Sequence, residues 1–169
     1  GLIILIFTVC GFPTTEKKIN KETGVILLTF NGYKTIDPLF GKMNPSKSNL
    51  LQKDQILIQK EVANYFKDFD VIITTDDSLF YTFPESKRIR CVITSDTLKI
   101  RTSYGIIPAG GISVYNSLYL KDTTPVLVSI PNIERLDFIS TVISHEVAHA
   151  IGLAHQSTYI KSIKVVEYR

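Results

Sequence analysis

The chain is predicted to fold as one α/β (α+β) domain, on three observations. Short runs rich in β-branched and large apolar residues recur at Val25–Phe30, Val71–Thr75, Ile89–Ile93 and Pro125–Ile130, as buried strands require. Leu51, Ile58, Val62 and Phe66 recur at helical spacing, with Gln55 in the one polar slot. A second helical stretch leads from Pro131-Asn132 to Gly152. The order strand, helix, several strands, helix implies a long helix before the sheet and another behind it.

Each element has its own signals. The strand at Val25–Phe30 closes at the turn pair Asn31-Gly32, and a loop carrying Gly41, Asn44 and Pro45 follows. Asn49 with Gln52 three residues on resembles a helix-start box, and that helix extends to about Lys67. Val71–Thr75 is a buried strand, and Asp76-Asp77 marks a loop. In the next strand Ile89, Cys91 and Ile93 alternate with Arg90, Val92 and Thr94. Gly105, Pro108, Gly110 and Gly111 make a flexible, turn-rich stretch, with a short strand at Ile112–Tyr115 after it. Asn132 is a candidate cap for the last helix, which runs to about Ile151. Gly152 can end it by taking a left-handed conformation.

At 169 residues the chain fits one domain and can bury a core without disulfide staples. A net charge of +3, with Lys and Arg scattered and the densest group at Lys87-Arg88-Ile89-Arg90, gives no basic patch for nucleic acid. The two cysteines, Cys10 and Cys91, make no disulfide framework. The apolar run Leu2–Val9 is too short to span a bilayer. It suits the apolar core of a secretory signal or, alternatively, a buried strand. On the first reading, residues 1–23 are a signal remnant and linker, residues 24–169 are the domain, and the protein is secreted or held at the cell envelope. A lipoprotein anchor at Cys10 is the weaker option, because Phe7-Thr8-Val9 are not the small residues such a site needs.

All three histidines of the chain lie in His145-Glu146-Val147-Ala148-His149-Ala150-Ile151-Gly152-Leu153-Ala154-His155. Residues four apart share a helix face, so His145 and His149 can reach one ion. On a continued helix His155 would sit far along the axis; a break at Gly152 lets the chain turn back and deliver it. An alanine at 152 would oppose that left-handed turn. Three neutral imidazoles are a donor set for one catalytic Zn²⁺ and leave a position open for water. Glu146 lies one step round the helix, too far round to join the ligands but placed to act as base on that water. Val142, Ile143, Val147, Ala148, Ile151 and Leu153 are expected to pack the helix into the core.

The eleven residues 145–155 resemble the signature of the metzincin zinc endopeptidases. A looser likeness, to secreted bacterial members of the reprolysin-like type, runs from about Val25 to the end through Ile26–Gly32, Phe69–Asp76, Gly110–Tyr115 and Ser144–Gln156. The resemblance implies a metzincin-like catalytic domain with a twisted mixed sheet, a backing helix and an active-site helix. It implies hydrolysis of a peptide or protein substrate, with His145, His149 and His155 on zinc and Glu146 as general base. It also implies an edge strand over the cleft, here Gly111, Ile112, Ser113 and Val114, that pairs with extended substrate; the same segment also reads as an ordinary glycine-containing hairpin. Metzincins carry a methionine turn after the third histidine. Here the only methionine is Met43 and none follows His155, so the sequence is expected to stop short of that turn. A non-catalytic, zinc-binding or inactive module is the rival reading. No stable membrane span and a monomeric state are expected.

Overall fold

A computed structural model describes residues 23–102, 105–120, 124–132, 135–160 and 163–167. The proposed signal segment and Cys10 lie outside the described residues. A five-stranded sheet forms the centre, in the order β4-β1-β5-β9-β8. β1 (Gly24–Thr29), β4 (Val71–Thr74), β5 (Arg88–Thr94) and β9 (Val126–Ser129) run parallel. β8 (Gly111–Ile112) closes one edge antiparallel to β9. The fold is therefore mixed α/β with a mixed sheet.

Parallel strands with both faces covered are apolar along their whole length, and β1, β5 and β9 are buried almost throughout. Their alternation divides the core. Ile26, Leu28, Cys91, Ile93, Val126 and Val128 face α1 (Gln52–Tyr65) and α4 (Leu136–Ala150). Val25 and Leu27 pack instead against Phe80 and Phe83, and Val92 and Leu127 against Met43. Both long helices thus share one face, through Ile58 and Val62 on α1 and Ile139, Ile143 and Val147 on α4. They do not lie before and behind the sheet as the element order suggested.

Several local expectations are corrected. Leu51, not Asn49, is the N-cap of α1, and it makes no side-chain cap bond. The Asn49 N–H donates instead to Ser95 Oγ at 2.9 Å. Leu51 is 61% exposed because it precedes the helix, so the apolar stripe begins later. The helix stops at Tyr65, short of Lys67. Asp76 does not open a loop: its carboxylate accepts the Ser78 N–H at 2.8 Å and caps a short helix, α2 (Asp77–Thr82). The loop around Gly41 holds a small hairpin of β2 (Thr35–Asp37) and β3 (Gly41–Met43), turned by Asp37, which accepts the Leu39 and Phe40 N–H groups. The stretch read as flexible supplies β7 (Gly105–Ala109), which pairs antiparallel with β6 (Leu98–Thr102). Pro108 fits there because a two-stranded ribbon leaves edges that need no N–H donor. α4 begins at Leu136 with Arg135 as its N-cap, so Asn132 is not the cap. After a short helix α3 (Ser117–Leu120) and the long α4, the last described residues form an antiparallel pair, β10 (Gln156–Ile160) with β11 (Ile163–Glu167). Among the described residues no helix is long and apolar enough to cross a membrane.

Candidate metal centre

α4 buries Ile139, Ile143, Val147 and Ala150 and turns His145 and His149 toward the opposite side, where both are half-buried. Of the flanking residues expected in the core, Val142 and Ala148 pack partly against it and Ile151 is buried. Leu153 is exposed, because it stands beyond the helix end.

That end is a glycine-terminated cap. Gly152 adopts φ +93°, its N–H donates to the His149 carbonyl at 3.0 Å, and the Leu153 N–H reaches back to the Ala148 carbonyl at 2.9 Å. These two bonds are the Schellman pattern, which satisfies last-turn carbonyls and reverses the chain. The reversal brings His155 to the other two histidines. The Nε2 atoms form a near-equilateral triangle with sides of 2.9 Å (149–155), 3.0 Å (145–155) and 3.2 Å (145–149).

The donor chemistry fits a metal ion. His149 Nδ1 lies 2.8 Å from the Leu153 carbonyl oxygen, which can only accept, so Nδ1 carries the hydrogen. The tautomer with its hydrogen at Nδ1 presents a lone pair at Nε2, as ligating histidines do when a carbonyl holds the other nitrogen. Three imidazole nitrogens about 3 Å apart match the spacing of three ligands each about 2.0–2.1 Å from one ion. His145, His149 and His155 are the one metal-competent group of His, Cys, Asp or Glu among the described residues. Burial, and then the neighbouring His149 and His155, push the His145 pKa down, in the direction that favours the ligating form of the ring.

Glu146 is half-buried, and burial raises its pKa against the lowering effect of His149. Gly111 of β8 packs on its side chain: a Cβ at 111 would lie 2.6 Å from Glu146 Cδ and Oε1. Of the four residues predicted to bind substrate, Gly111 and Ile112 form the edge strand. Ser113 and Val114 leave it, and the strand expected to reach Tyr115 ends at Ile112. The reason is a turn at Val114–Ser117, in which the Ser117 N–H donates to the Val114 carbonyl at 3.3 Å.

Sequence reasoning missed the role of Tyr115 and Asn116. The Tyr115 hydroxyl donates to the Gly152 carbonyl at 2.8 Å, and the Asn116 N–H donates to the His149 carbonyl at 2.8 Å. The available signal was Asn116 itself, a residue type that tolerates the left-handed region, and its φ is +59°. No protein-family model and no curated protein matches the chain.

Proposed function

We propose that this protein is a zinc-dependent endopeptidase of metzincin type. The observation that carries the reading is the convergence of the three Nε2 atoms at 2.9–3.2 Å beside Glu146. The resemblance implies a mixed sheet with an edge strand over the cleft; the mixed sheet and the edge strand β8, with Gly111 against Glu146, support the same reading.

His145, His149 and His155 would hold the ion through Nε2. Zinc bound there would supply Lewis acidity toward a water molecule and a peptide carbonyl. Glu146 then takes a proton from the attacking water and passes it to the departing amine nitrogen. Burial shifts its pKa upward, the direction that suits a carboxyl which must both accept and release a proton. The outer edge of β8 pairs with no strand among the described residues, so Gly111 and Ile112 can receive an extended peptide by strand addition. A peptide or protein substrate and an extracytoplasmic setting belong to this proposal.

Metal binding without catalysis is the second reading. Met43 packs with Val92 and Leu127 on the sheet face away from α4. Metal analysis with a quenched-peptide assay separates the two. Glu146→Gln should retain stoichiometric zinc and lose about 10²- to 10⁴-fold in hydrolysis, whereas His149→Ala should lose the metal. Full hydrolysis by purified Glu146→Gln protein would remove the role assigned to that carboxylate. Zinc-loaded wild-type protein inert toward peptides would leave the second reading.

A further inference from the structure

The turn that follows β8 is tied to the turn that follows α4. Asn116, the third residue of the Val114–Ser117 turn, is the one non-glycine residue with positive φ among the described residues. Such a backbone persists where its surroundings over-determine it. Three contacts do so. The Asn116 N–H donates to the His149 carbonyl at 2.8 Å, and the Tyr115 hydroxyl to the Gly152 carbonyl at 2.8 Å. The Asn116 amide fills the space beside Gly152, where a Cβ would meet its Oδ1 at 2.7 Å. Every contact ends on a residue that joins the second histidine to the third.

We propose that Tyr115 and Asn116 are positioning residues for the metal centre, clamping the Gly152 turn so that His149 keeps its orientation and His155 faces the other two rings. The inference rests on the reading of the triad as a metal site. Its physical basis is local. The chain that leaves Gly152 carries, one residue on, the Leu153 carbonyl, which holds His149 Nδ1 at 2.8 Å, and His155 follows two residues later. Leu153, Ala154 and His155 are exposed, so burial does little to fix this segment. Rotation at Gly152 would move the Leu153 carbonyl off the ring and His155 away from the triangle. The Tyr115 hydroxyl and the Asn116 contacts oppose that rotation. The clamp springs from the same strand that packs on Glu146, so ligands and base share one support.

Tyr115→Phe deletes the hydroxyl and keeps the ring. Three quantities test it in the full chain: zinc affinity by chelator competition, the visible spectrum of the cobalt-loaded protein, and the ¹⁵N state of the His149 ring in metal-free protein. Zinc affinity should fall about 5- to 10-fold, the scale of one supporting hydrogen bond around a ligand. The cobalt spectrum should shift, and the single Nδ1–H tautomer of His149 should become a mixture. Tyr65→Phe, the same deletion on α1, should change none of these. Asn116→Val should weaken zinc because a β-branched residue resists the left-handed backbone, and Asn116→Gly should restore it in part, since it relieves the backbone but loses the amide contact. An unchanged affinity, spectrum and tautomer in Tyr115→Phe overturns the clamp, as does Asn116→Gly binding as weakly as Asn116→Val. Wild-type protein that takes up no zinc, with a His149 tautomer still dependent on Tyr115, removes the metal reading and leaves the clamp standing.

Discussion

Gly111 and Glu146 are in such close contact that a Cβ on Gly111 would fall 2.6 Å from the Glu146 Cδ and Oε1 atoms. The glycine of the edge strand therefore sets where the carboxylate of the motif helix can lie. Its φ is not in the left-handed region, so the requirement for glycine here is space alone.

Gly111→Ala should displace the Glu146 carboxylate and leave the ligands untouched. On the proposed function, peptide hydrolysis should fall on the order of 100-fold, the cost of moving a general base by about 1 Å. Zinc content by elemental analysis should stay at the wild-type level. Equal loss of zinc and activity would mean that the contact supports the helix and not the base.

Gly152→Ala combines two faults. A left-handed alanine costs about 1–2 kcal/mol, and its Cβ would meet Asn116 Oδ1 at 2.7 Å. The urea midpoint should drop, and zinc affinity should drop with it because the turn delivers His155. A variant that loses stability but binds zinc as before would show that the turn does not set the ligand geometry.

Arg90 is 9% exposed on the sheet face away from α4. Its guanidinium donates to Thr29 Oγ1 at 2.8 Å, the Tyr81 hydroxyl at 3.1 Å and Asp77 Oδ1 at 3.2 Å, and lies over the Tyr33 ring at 4.7 Å. Arg90→Leu should cost about 2–3 kcal/mol in urea unfolding, from lost charged hydrogen bonds and stacking. Arg90→Lys should recover only part of it, since an ammonium cannot reproduce the planar fork. A full recovery with lysine would reduce the role of Arg90 to its charge.

Cys91 is buried behind the motif helix, and burial, with a smaller push from the Glu146 charge, raises its thiol pKa far above the ordinary range. It should resist alkylation at neutral pH in folded protein and react at once in denaturant. The folded pKa is raised, so the native state retains a proton that the unfolded chain releases. The contribution is complete below the unfolded thiol value of about 8.5 and is lost as pH rises beyond it. Wild-type stability should therefore decline above about pH 8.5 more steeply than that of Cys91→Ala, a difference readable from urea curves at several pH values. Parallel curves would place the thiol in contact with water.

The strands at residues 25–30, 71–75, 89–93 and 125–130 were legible because burial on both faces demands unbroken apolar runs. α1 and α4 were legible as elements, but their first residues were not. Leu51 and Arg135 cap without a side-chain bond, whereas Asn49 and Asn132, the residue types that usually cap, stand outside. Asp76 did cap a helix, and it was overlooked because six residues are too few to show a period. The β6–β7 ribbon was hidden by Gly105 and Pro108, which mark turns more often than strands.

The sequence by itself determined the candidate ligand set. His145 and His149 share a face because they are four residues apart on a helix, and Gly152 turns the chain because only glycine takes φ +93° without strain. These are short-range facts, decided by backbone geometry within one segment. The tertiary structure decided everything that meets this segment from elsewhere: Gly111 against Glu146, Tyr115 on Gly152, Asn116 on His149, and both long helices on one sheet face. The first three of these contacts join residues some 33 to 37 positions apart. They depend on β8 pairing with β9 in one register, and no local pattern in the chain encodes that pairing.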